Sequence, residues 1–164
     1  MSAIAVAEHP FSRVGQHISH SQVSSFDRCQ LAWFFKYVRG IEKLPTIQML
    51  VGKCYHQALA RNFEQKLVTG IDLPTPEVIA YYRDCFDAAV SSGSVYIANG
   101  QDVDGFREAV ARLLEHYYQE YVVGMMEPVL VEHQLACRIP GCDRPLVGIV
   151  DVQLSDGRII DFKV

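Results

Sequence analysis

Apolar residues recur at helical spacing over most of residues 21–122 and then alternate with polar residues toward the end of the chain. The helical spacing predicts four helices, at Ser21 or Ser24 to Val38, Gly52 to about Val68, Thr75 to about Val90, and Asp102 to Val122. Residues 1–18 show no period and are predicted to form a flexible N-terminal arm. Residues 19–164 are predicted to form one domain, with a helical part at 19–123 and a sheet at 128–164.

Two sets of ring-bearing side chains fall on the apolar faces of these helices. An aromatic stripe is usually core, and we predict this for the first helix: Phe26, Trp33, Phe34 and Tyr37. His56 shares a face with Leu59 and Phe63 and is placed in the first turn of the second helix. Because a lone histidine on such a face is more often a hydrogen-bonded core residue than a metal ligand, both interpretations stay open at this point.

Alternating side chains predict the strands. Val129 to Ile139 reads as one strand, and the apolar runs on either side of Ser155-Asp156-Gly157 read as a hairpin that ends at Val164. We therefore predict an α/β (α+β) fold, in which a mixed sheet begins as a three-stranded antiparallel meander beside about four helices.

Charged residues stand in the middle of this hairpin, where a strand is expected to carry apolar residues. Asp151 lies in its first strand, while Asp161 and Lys163 share one face of its second strand. A two-residue turn would send the two carboxylates to opposite faces. A three-residue loop, with Gly157 in the left-handed region, would place Asp151 opposite Asp161. The register therefore decides whether the two acids act together.

Facing carboxylates repel each other unless a positive charge lies between them. A divalent cation such as Mg²⁺ or Mn²⁺ takes carboxylate oxygens and keeps positions open for water and phosphate oxygens. Lys163 would then orient or deprotonate a metal-activated water, or offset charge in a phosphoryl-transfer transition state. The alternative is that all three charged residues belong to a solvated strand face.

The overall composition is ordinary for a folded chain, with 49% hydrophobic and 21% charged residues among 164. No run of eighteen apolar residues is present and the first residues lack the basic region of a signal peptide, so we expect an intracellular, cytoplasmic protein without membrane contacts. The five cysteines are an odd number, which favours free thiols in such a compartment.

Charge is unevenly distributed along the chain. The net charge of −4 argues against a protein that coats nucleic acid through bulk charge. From Arg28 to Lys66, however, seven basic residues stand against two acidic ones. This local excess fits phosphate contacts, with Lys36, Arg39 and Lys53 as candidates, although a solvated helix surface would look much the same.

Four short motifs occur in order along the chain. They are Gly52-x-x-x-His56, Glu132 on the first predicted strand, Gly148-Ile149-Val150-Asp151, and Ile160-Asp161-Phe162-Lys163. Their order resembles the RecB-type branch of the PD-(D/E)XK nuclease superfamily, including CRISPR-associated exonuclease-like members. Ser24–Tyr37 also looks similar to the opening helix of that branch, with Gln30 in place of the usual proline. Each motif alone is weak, but four in the correct order are fairly specific.

The resemblance implies roles for individual residues. The family pattern gives one set of metal ligands: His56, Asp151, Asp161 and the backbone carbonyl of Phe162. Lys163 would position or activate the attacking water. For Glu132, a surface position and a place in or beside the metal site are equally open.

The same resemblance implies a restriction-endonuclease-like αβββαβ core and hydrolysis of DNA with Mg²⁺ or Mn²⁺. The expected protein is an exonuclease that acts on DNA ends or single strands in repair, recombination or phage replication. Relatives continue past the Asp-x-Lys strand into a helix with a Gln-x-x-x-Tyr motif and a further strand, so we expect a domain that is incomplete at its C-terminus.

Such a domain would expose an apolar edge of its sheet, which favours self-association or poor activity of the chain alone. The alternative function is a catalytically inactive nuclease-like module that binds DNA or a protein partner.

Some members of the branch hold a [4Fe–4S] cluster through one cysteine before the nuclease motifs and three after them. Cys29 matches the first position, but the other three would lie beyond Val164. We therefore expect no cluster in this chain and predict that Cys29 is a buried core thiol.

Overall fold

The computed structural model describes residues 15–163. Its helices are α1 (His20–Arg28), α2 (Gln30–Trp33), α3 (Ile47–Thr69), α4 (Thr75–Ser91) and α5 (Val103–Tyr117), with π-helical turns at Phe34–Val38 and Tyr118–Val122. Its strands are β1 (Ile18–Ser19), β2 (Pro128–Cys137), β3 (Leu146–Leu154) and β4 (Ile159–Ile160). The predicted α/β class with a mixed sheet is therefore confirmed.

Strand β3 is the centre of the sheet, since β1, β2 and β4 all pair with it. Strand β1 runs parallel to β3, with Ile18 opposite Leu146, and β4 runs antiparallel to it, with Val152 opposite Ile160. The sequence pattern assigns Ile18 to the N-terminal arm, and this is wrong because a two-residue strand is too short to show a period. Residues 1–14 of the predicted arm lie outside the described residues.

The described residues divide into two compact units. One holds the residues up to Lys43 together with Gln134–Gly148, and the other holds Leu44–His133 together with the residues from Ile149 onward. Strands β2 and β3 each pass from one unit into the other. Neither unit is therefore a continuous piece of sequence.

The first predicted helix is interrupted at Cys29. Ser19 caps α1: its hydroxyl accepts the Gln22 N–H at 3.3 Å, and the Gln22 side chain accepts the Ser19 N–H at 3.1 Å. Cys29 is extended, with φ −162°, and its Sγ accepts the Ala32 N–H at 3.5 Å where α2 begins. The thiol is exposed, so the prediction of a buried core Cys29 is wrong, because this residue caps a helix.

The aromatic stripe of the first unit is only partly buried. Phe26 and Trp33 meet edge to face with centroids 5.3 Å apart, and Trp33 and Tyr37 lie 5.9 Å apart. Phe26 is nevertheless 45% exposed, and the other three rings are half-buried. The prediction that the stripe is core is therefore wrong, because periodicity identifies a face without showing what covers it.

The second unit contains the main apolar core, in which α3 packs against α4 and α5. Fully buried side chains come from the three helices and from the sheet: Leu59, Phe63, Tyr82, Phe86, Leu114, Val152 and Leu154. Helix α3 begins at Ile47, earlier than predicted, because the Thr46 hydroxyl caps it by accepting the Met49 N–H at 3.4 Å. His56 therefore lies well inside α3 and not in its first turn.

Helices α4 and α5 agree with the predicted ranges to within a few residues. Pro76 stands in the first turn of α4, and Asp102 caps α5 by accepting the Gly105 N–H at 2.8 Å. None of the helices in residues 15–163 is both long and apolar enough to cross a bilayer.

A polar network lies against the core of the second unit. The Lys66 ammonium, which is only 5% exposed, donates to Asp72 at 2.8 Å and to the Met125 carbonyl at 2.6 Å. The Asn62 amide donates to the other oxygen of Asp72 at 3.0 Å. Burial opposes the charged form of Asp72, but the hydrogen bonds from Lys66 and Asn62 outweigh it and lower the pKa of this carboxyl. The network joins α3 to the segments that follow α3 and α5.

Candidate metal centre

Helix α3 places His56 at the border of the core. Tyr55 and Leu59 are buried, which fixes the rotation of the helix and leaves the His56 side chain 30% exposed. The imidazole packs edge to face against the Phe162 ring, with centroids 6.0 Å apart. One side of the ring is thus supported by the core while the imidazole remains accessible.

Strand β3 places Asp151 next to this imidazole. Val152 is fully buried, so the alternation of the strand turns Asp151 to the opposite face. Its Oδ2 accepts the Phe162 N–H at 2.8 Å and lies 3.4 Å from His56 Nδ1. A backbone amide therefore holds the carboxylate beside His56.

The hairpin between β3 and β4 has the three-residue loop. The Leu154 N–H donates to the Arg158 carbonyl at 2.9 Å, and Gly157 has φ 88°. Pairing of Val152 with Ile160 belongs to the same register. The register that the sequence requires for its two acids is thereby confirmed.

Strand β4 ends at Ile160, earlier than the predicted strand. The Phe162 N–H donates to the Asp151 side chain, and this contact replaces a backbone pair. The Phe162 ring is buried and stacks on Phe63 at 5.9 Å between centroids. The side chains on either side of it are exposed, by 63% for Asp161 and 78% for Lys163.

Glu132 has an unusual backbone conformation within β2. Its φ of 45° makes it the one non-glycine residue with positive φ among residues 15–163. Such a conformation costs about 1–3 kcal/mol and persists only where the surrounding structure imposes it. Strain of this kind is concentrated at functional sites.

These three side chains converge from three different elements. One ligand atom from each of His56, Glu132 and Asp151 lies within 4.8 Å of the other two. Burial raises the pKa of Glu132, and the negative charge of Asp151 raises it further. Two carboxylates and an imidazole at this spacing form a donor set for a divalent cation.

The cluster lines a cleft of about 460 Å³ in the second unit. The other residues that line this cleft are Lys53, Gln57, Ala60, Arg61, Glu64, Tyr81 and Ile149. Lys53, Gln57 and Arg61 stand four residues apart on α3 and therefore share one face of it. The cleft thus combines an acidic cluster with two basic side chains and one tyrosine.

A profile of the PD-(D/E)XK nuclease superfamily matches residues 17–164. The chain belongs to this superfamily. No curated protein matches the chain significantly, and no solved structure does either. The helices and the four-stranded mixed sheet are consistent with the restriction-endonuclease-like fold of PD-(D/E)XK proteins. Membership indicates a metal-dependent nuclease, with nucleic acid as its substrate.

PD-(D/E)XK nucleases use divalent metals, and the cluster of His56, Glu132 and Asp151 fits such an ion. Burial and then the negative charge of Asp151 raise the pKa of Glu132, and a cation between the two carboxylates would relieve their repulsion. The strained backbone at Glu132 is a second observation in favour of a ligand role. The geometry of the cluster and the strained backbone therefore add Glu132 to the candidate ligands, a role that the sequence leaves open.

Asp161 and Lys163, the end of the superfamily motif, lie beside this cluster. The Lys163 Nζ donates to the Asp161 carboxylate at 2.8 Å, which lowers the pKa of Asp161 and raises that of Lys163. The N–H of Phe162, which lies between these two residues in the chain, donates to Asp151 at 2.8 Å and so places this end of the motif next to the cluster. Among the described residues, the group with ligand atoms within 4.8 Å contains Glu132 and not Asp161.

The three predicted nucleic-acid contacts fall in different units. Lys53 lines the cleft of the second unit. Lys36 and Arg39 belong to the first unit, where the Lys36 ammonium lies 4.9 Å from the centre of the Tyr37 ring and Arg39 is exposed.

The sequence motifs do not include Arg61 and Tyr81, two residues that line the cleft. Arg61 could have been found from its four-residue spacing to Gln57 and Lys53, which puts all three on the His56 side of α3. Nothing local distinguishes Tyr81, because only the packing of α4 against α3 brings it to the cleft.

Proposed function

We propose that the chain is a deoxyribonuclease that uses Mn²⁺ or Mg²⁺ to hydrolyse DNA from its ends. One observation carries the proposal: His56, Glu132 and Asp151 converge within 4.8 Å on a cleft, in a chain that belongs to the PD-(D/E)XK superfamily. We also propose that the enzyme acts in repair, recombination or phage replication, as the resemblance to RecB-type nucleases implies.

His56, Glu132 and Asp151 would bind the cation, with Asp161 as a further ligand. An ion bound there would lower the pKa of a coordinated water and neutralise charge on the scissile phosphate. Because Mg²⁺ prefers oxygen donors, the imidazole of His56 favours a transition metal such as Mn²⁺. We therefore expect higher activity with Mn²⁺ than with Mg²⁺ at equal concentrations.

The remaining residues of the site would orient these groups. The Phe162 N–H holds the Asp151 carboxylate in place. Lys163 has a raised pKa because Asp161 accepts its hydrogen bond, so it stays protonated at neutral pH. It would therefore orient the attacking water and stabilise charge on the phosphoryl oxygens without accepting a proton.

The test is digestion of DNA labelled at its 5′ or 3′ end, with Mn²⁺, with Mg²⁺ or with EDTA. We expect metal-dependent release of label from linear DNA, no cleavage of covalently closed circular DNA, and loss of activity in Asp151→Asn. The matched control is Asp84→Asn, which removes an exposed carboxylate of α4 and should leave activity unchanged. Cleavage of the closed circle would show that the enzyme is an endonuclease and not an exonuclease. Equal activity of Asp151→Asn and Asp84→Asn would show that Asp151 is not part of the active site.

A second candidate function is a nuclease-like module that binds DNA without cleaving it. One observation favours it. Lys163, the lysine of the motif, forms an ion pair with Asp161, and Asp161 is not a member of the cluster of His56, Glu132 and Asp151. Binding of DNA without cleavage at any tested metal concentration, unchanged by Lys163→Ala, would support this candidate.

A further inference from the structure

Tyr81 presents an uncovered aromatic ring to the cleft. Val78, Ile79 and Tyr82 are buried in the core, and Tyr81 lies at the border of that buried face of α4, where 41% of the residue is exposed. Within residues 15–163, the ring has no aromatic neighbour, unlike the paired rings of Tyr117 and Tyr121. It lines the same cleft as His56 and Asp151.

Two basic side chains line the cleft with it. Lys53 and Arg61 are exposed on one face of α3, and neither has an ion-pair partner in the described part of the chain. Glu64 is the one other charged residue of the lining outside the acidic cluster. Lys53 and Arg61 therefore remain available to phosphates.

A ring beside free basic groups is the combination that grooves for single-stranded nucleic acid use. Unpaired bases stack on aromatic side chains while lysine and arginine contact the backbone phosphates. A base inside a duplex already stacks on its neighbours and must first be extruded, which costs free energy. At about 460 Å³, the cleft falls within the size range of ligand sites and has room for an unpaired nucleotide.

We propose that Tyr81 stacks on an unpaired base next to the scissile phosphate, and that Arg61 and Lys53 bind the flanking phosphates. The cleft then selects single-stranded DNA and frayed ends over intact duplex. The position of Tyr81 next to a phosphate that is cleaved rests on the proposed nuclease function, whereas the binding of an unpaired strand does not.

The stacking role is tested by fluorescence anisotropy of a labelled single-stranded oligonucleotide in EDTA, where no cleavage takes place. Tyr81→Ala is expected to weaken binding by about 5- to 150-fold, and Tyr81→Phe, which keeps the ring, by much less. The matched control is Tyr96→Ala, since Tyr96 is 58% exposed but does not line the cleft. Equal losses in the Tyr81 and Tyr96 alanine variants, or equal affinity of the intact protein for duplex and single strand, overturn the proposal.

The phosphate role of Arg61 predicts a different signature. Arg61→Ala should lower the slope of log affinity against log salt concentration by about 0.7, the value for one phosphate contact on a single strand. Tyr81→Ala should leave that slope unchanged, because stacking releases no counterion. Arg112→Ala, which removes an exposed arginine of α5, is the matched control. An unchanged slope in Arg61→Ala contradicts its phosphate contact.

Failure of this inference and failure of the proposed function give different results. If the chain cleaves DNA with metal but Tyr81→Ala binds the single strand normally, the nuclease stands and the stacking role falls. If metal-dependent cleavage is absent but single-strand binding depends on Tyr81 and Arg61, the binding site stands and the nuclease falls.

Discussion

Asp151 uses one carboxylate oxygen for two contacts. Its Oδ2 accepts the Phe162 N–H at 2.8 Å and lies 3.4 Å from His56 Nδ1. The first contact needs only an acceptor, which an amide oxygen also provides, whereas binding of a cation needs the negative charge. Two substitutions at this residue can therefore separate folding from metal binding.

Asp151→Asn is expected to fold normally and to bind Mn²⁺ at least about tenfold more weakly, as judged by titration calorimetry. Asp151→Ala should lose the same affinity and also about 1–3 kcal/mol of unfolding free energy, because the buried Phe162 N–H loses its acceptor. Urea denaturation of both variants measures the difference. Equal stability of the two would show that the amide contact contributes nothing.

Glu132 illustrates what the sequence cannot show at this scale. The order of the motifs includes Glu132, but His56, Asp151, Asp161 and Lys163 each belong to a short pattern of residue types, whereas Glu132 stands alone on its predicted strand. The importance of Glu132 comes from its φ of 45°, a property of the folded backbone that no pattern of residue types encodes. The sequence therefore leaves a surface position and a metal-site position equally open for it.

The positive φ of Glu132 predicts that glycine destabilises the fold less than alanine at this position. Glu132→Gly should be more stable than Glu132→Ala by about 1 kcal/mol, because glycine adopts positive φ freely and both variants lose the same carboxylate. Chemical denaturation of the two variants measures this difference. At Glu115, an exposed residue inside α5, the order should reverse, since glycine is about 1 kcal/mol worse than alanine in a helix. The same order at both positions would contradict the strained conformation.

At the scale of elements, the hairpin and the approximate ends of α4 and α5 were predictable, but the hairpin register and the beginning of α3 were not. The Ser155-Asp156-Gly157 segment predicts the hairpin but leaves two registers open, because a left-handed Gly157 fits a two-residue turn as well as a three-residue loop. The beginning of α3 is missed because Thr46 follows Pro45 outside the periodic segment, and its cap extends the helix to Ile47. The consequence for the site is that His56 lies inside the helix, where the core on either side fixes its direction.

Strand β4 has only two residues, so its position depends on Phe162. This ring is buried and contacts the rings of Phe63, Tyr117 and His56. Phe162→Ala is expected to cost about 3–5 kcal/mol in urea denaturation. Ile159→Ala, in β4 itself but 61% exposed, is the control and should cost under about 0.5 kcal/mol. A small loss at Phe162 would mean that the hairpin is held by its backbone pairs alone.

At the scale of the whole molecule, the metal cluster and the main core belong to the same unit. The network of Lys66, Asp72 and Asn62 joins α3 to the segments that follow α3 and α5. Sequence reasoning places a lysine and an aspartate on the solvated surface by default, because both residues are rarely buried. Only the packing of α3 against the segments after α3 and α5 reveals the pair.

The lowered pKa of Asp72 predicts how stability depends on pH. The carboxylate contributes stability that is fully present above its unfolded pKa of about 3.9 and is lost as the pH falls through its lower folded pKa. Asp72→Asn should therefore cost about 3–5 kcal/mol at pH 7, where it leaves the Lys66 charge buried without its counterion. The two denaturation curves should approach each other below about pH 3.9. A constant difference down to pH 2 would rule out this contribution.

The two carboxylates of the cluster stand on either side of Gln134–Gly148, the segment that belongs to the first unit. Glu132 precedes this segment by two positions and Asp151 follows it by three. A protease that nicks the chain there would leave one carboxylate of the cluster on each fragment. Retention of metal after such a nick would then report whether the fragments stay associated, since neither fragment alone carries the complete donor set.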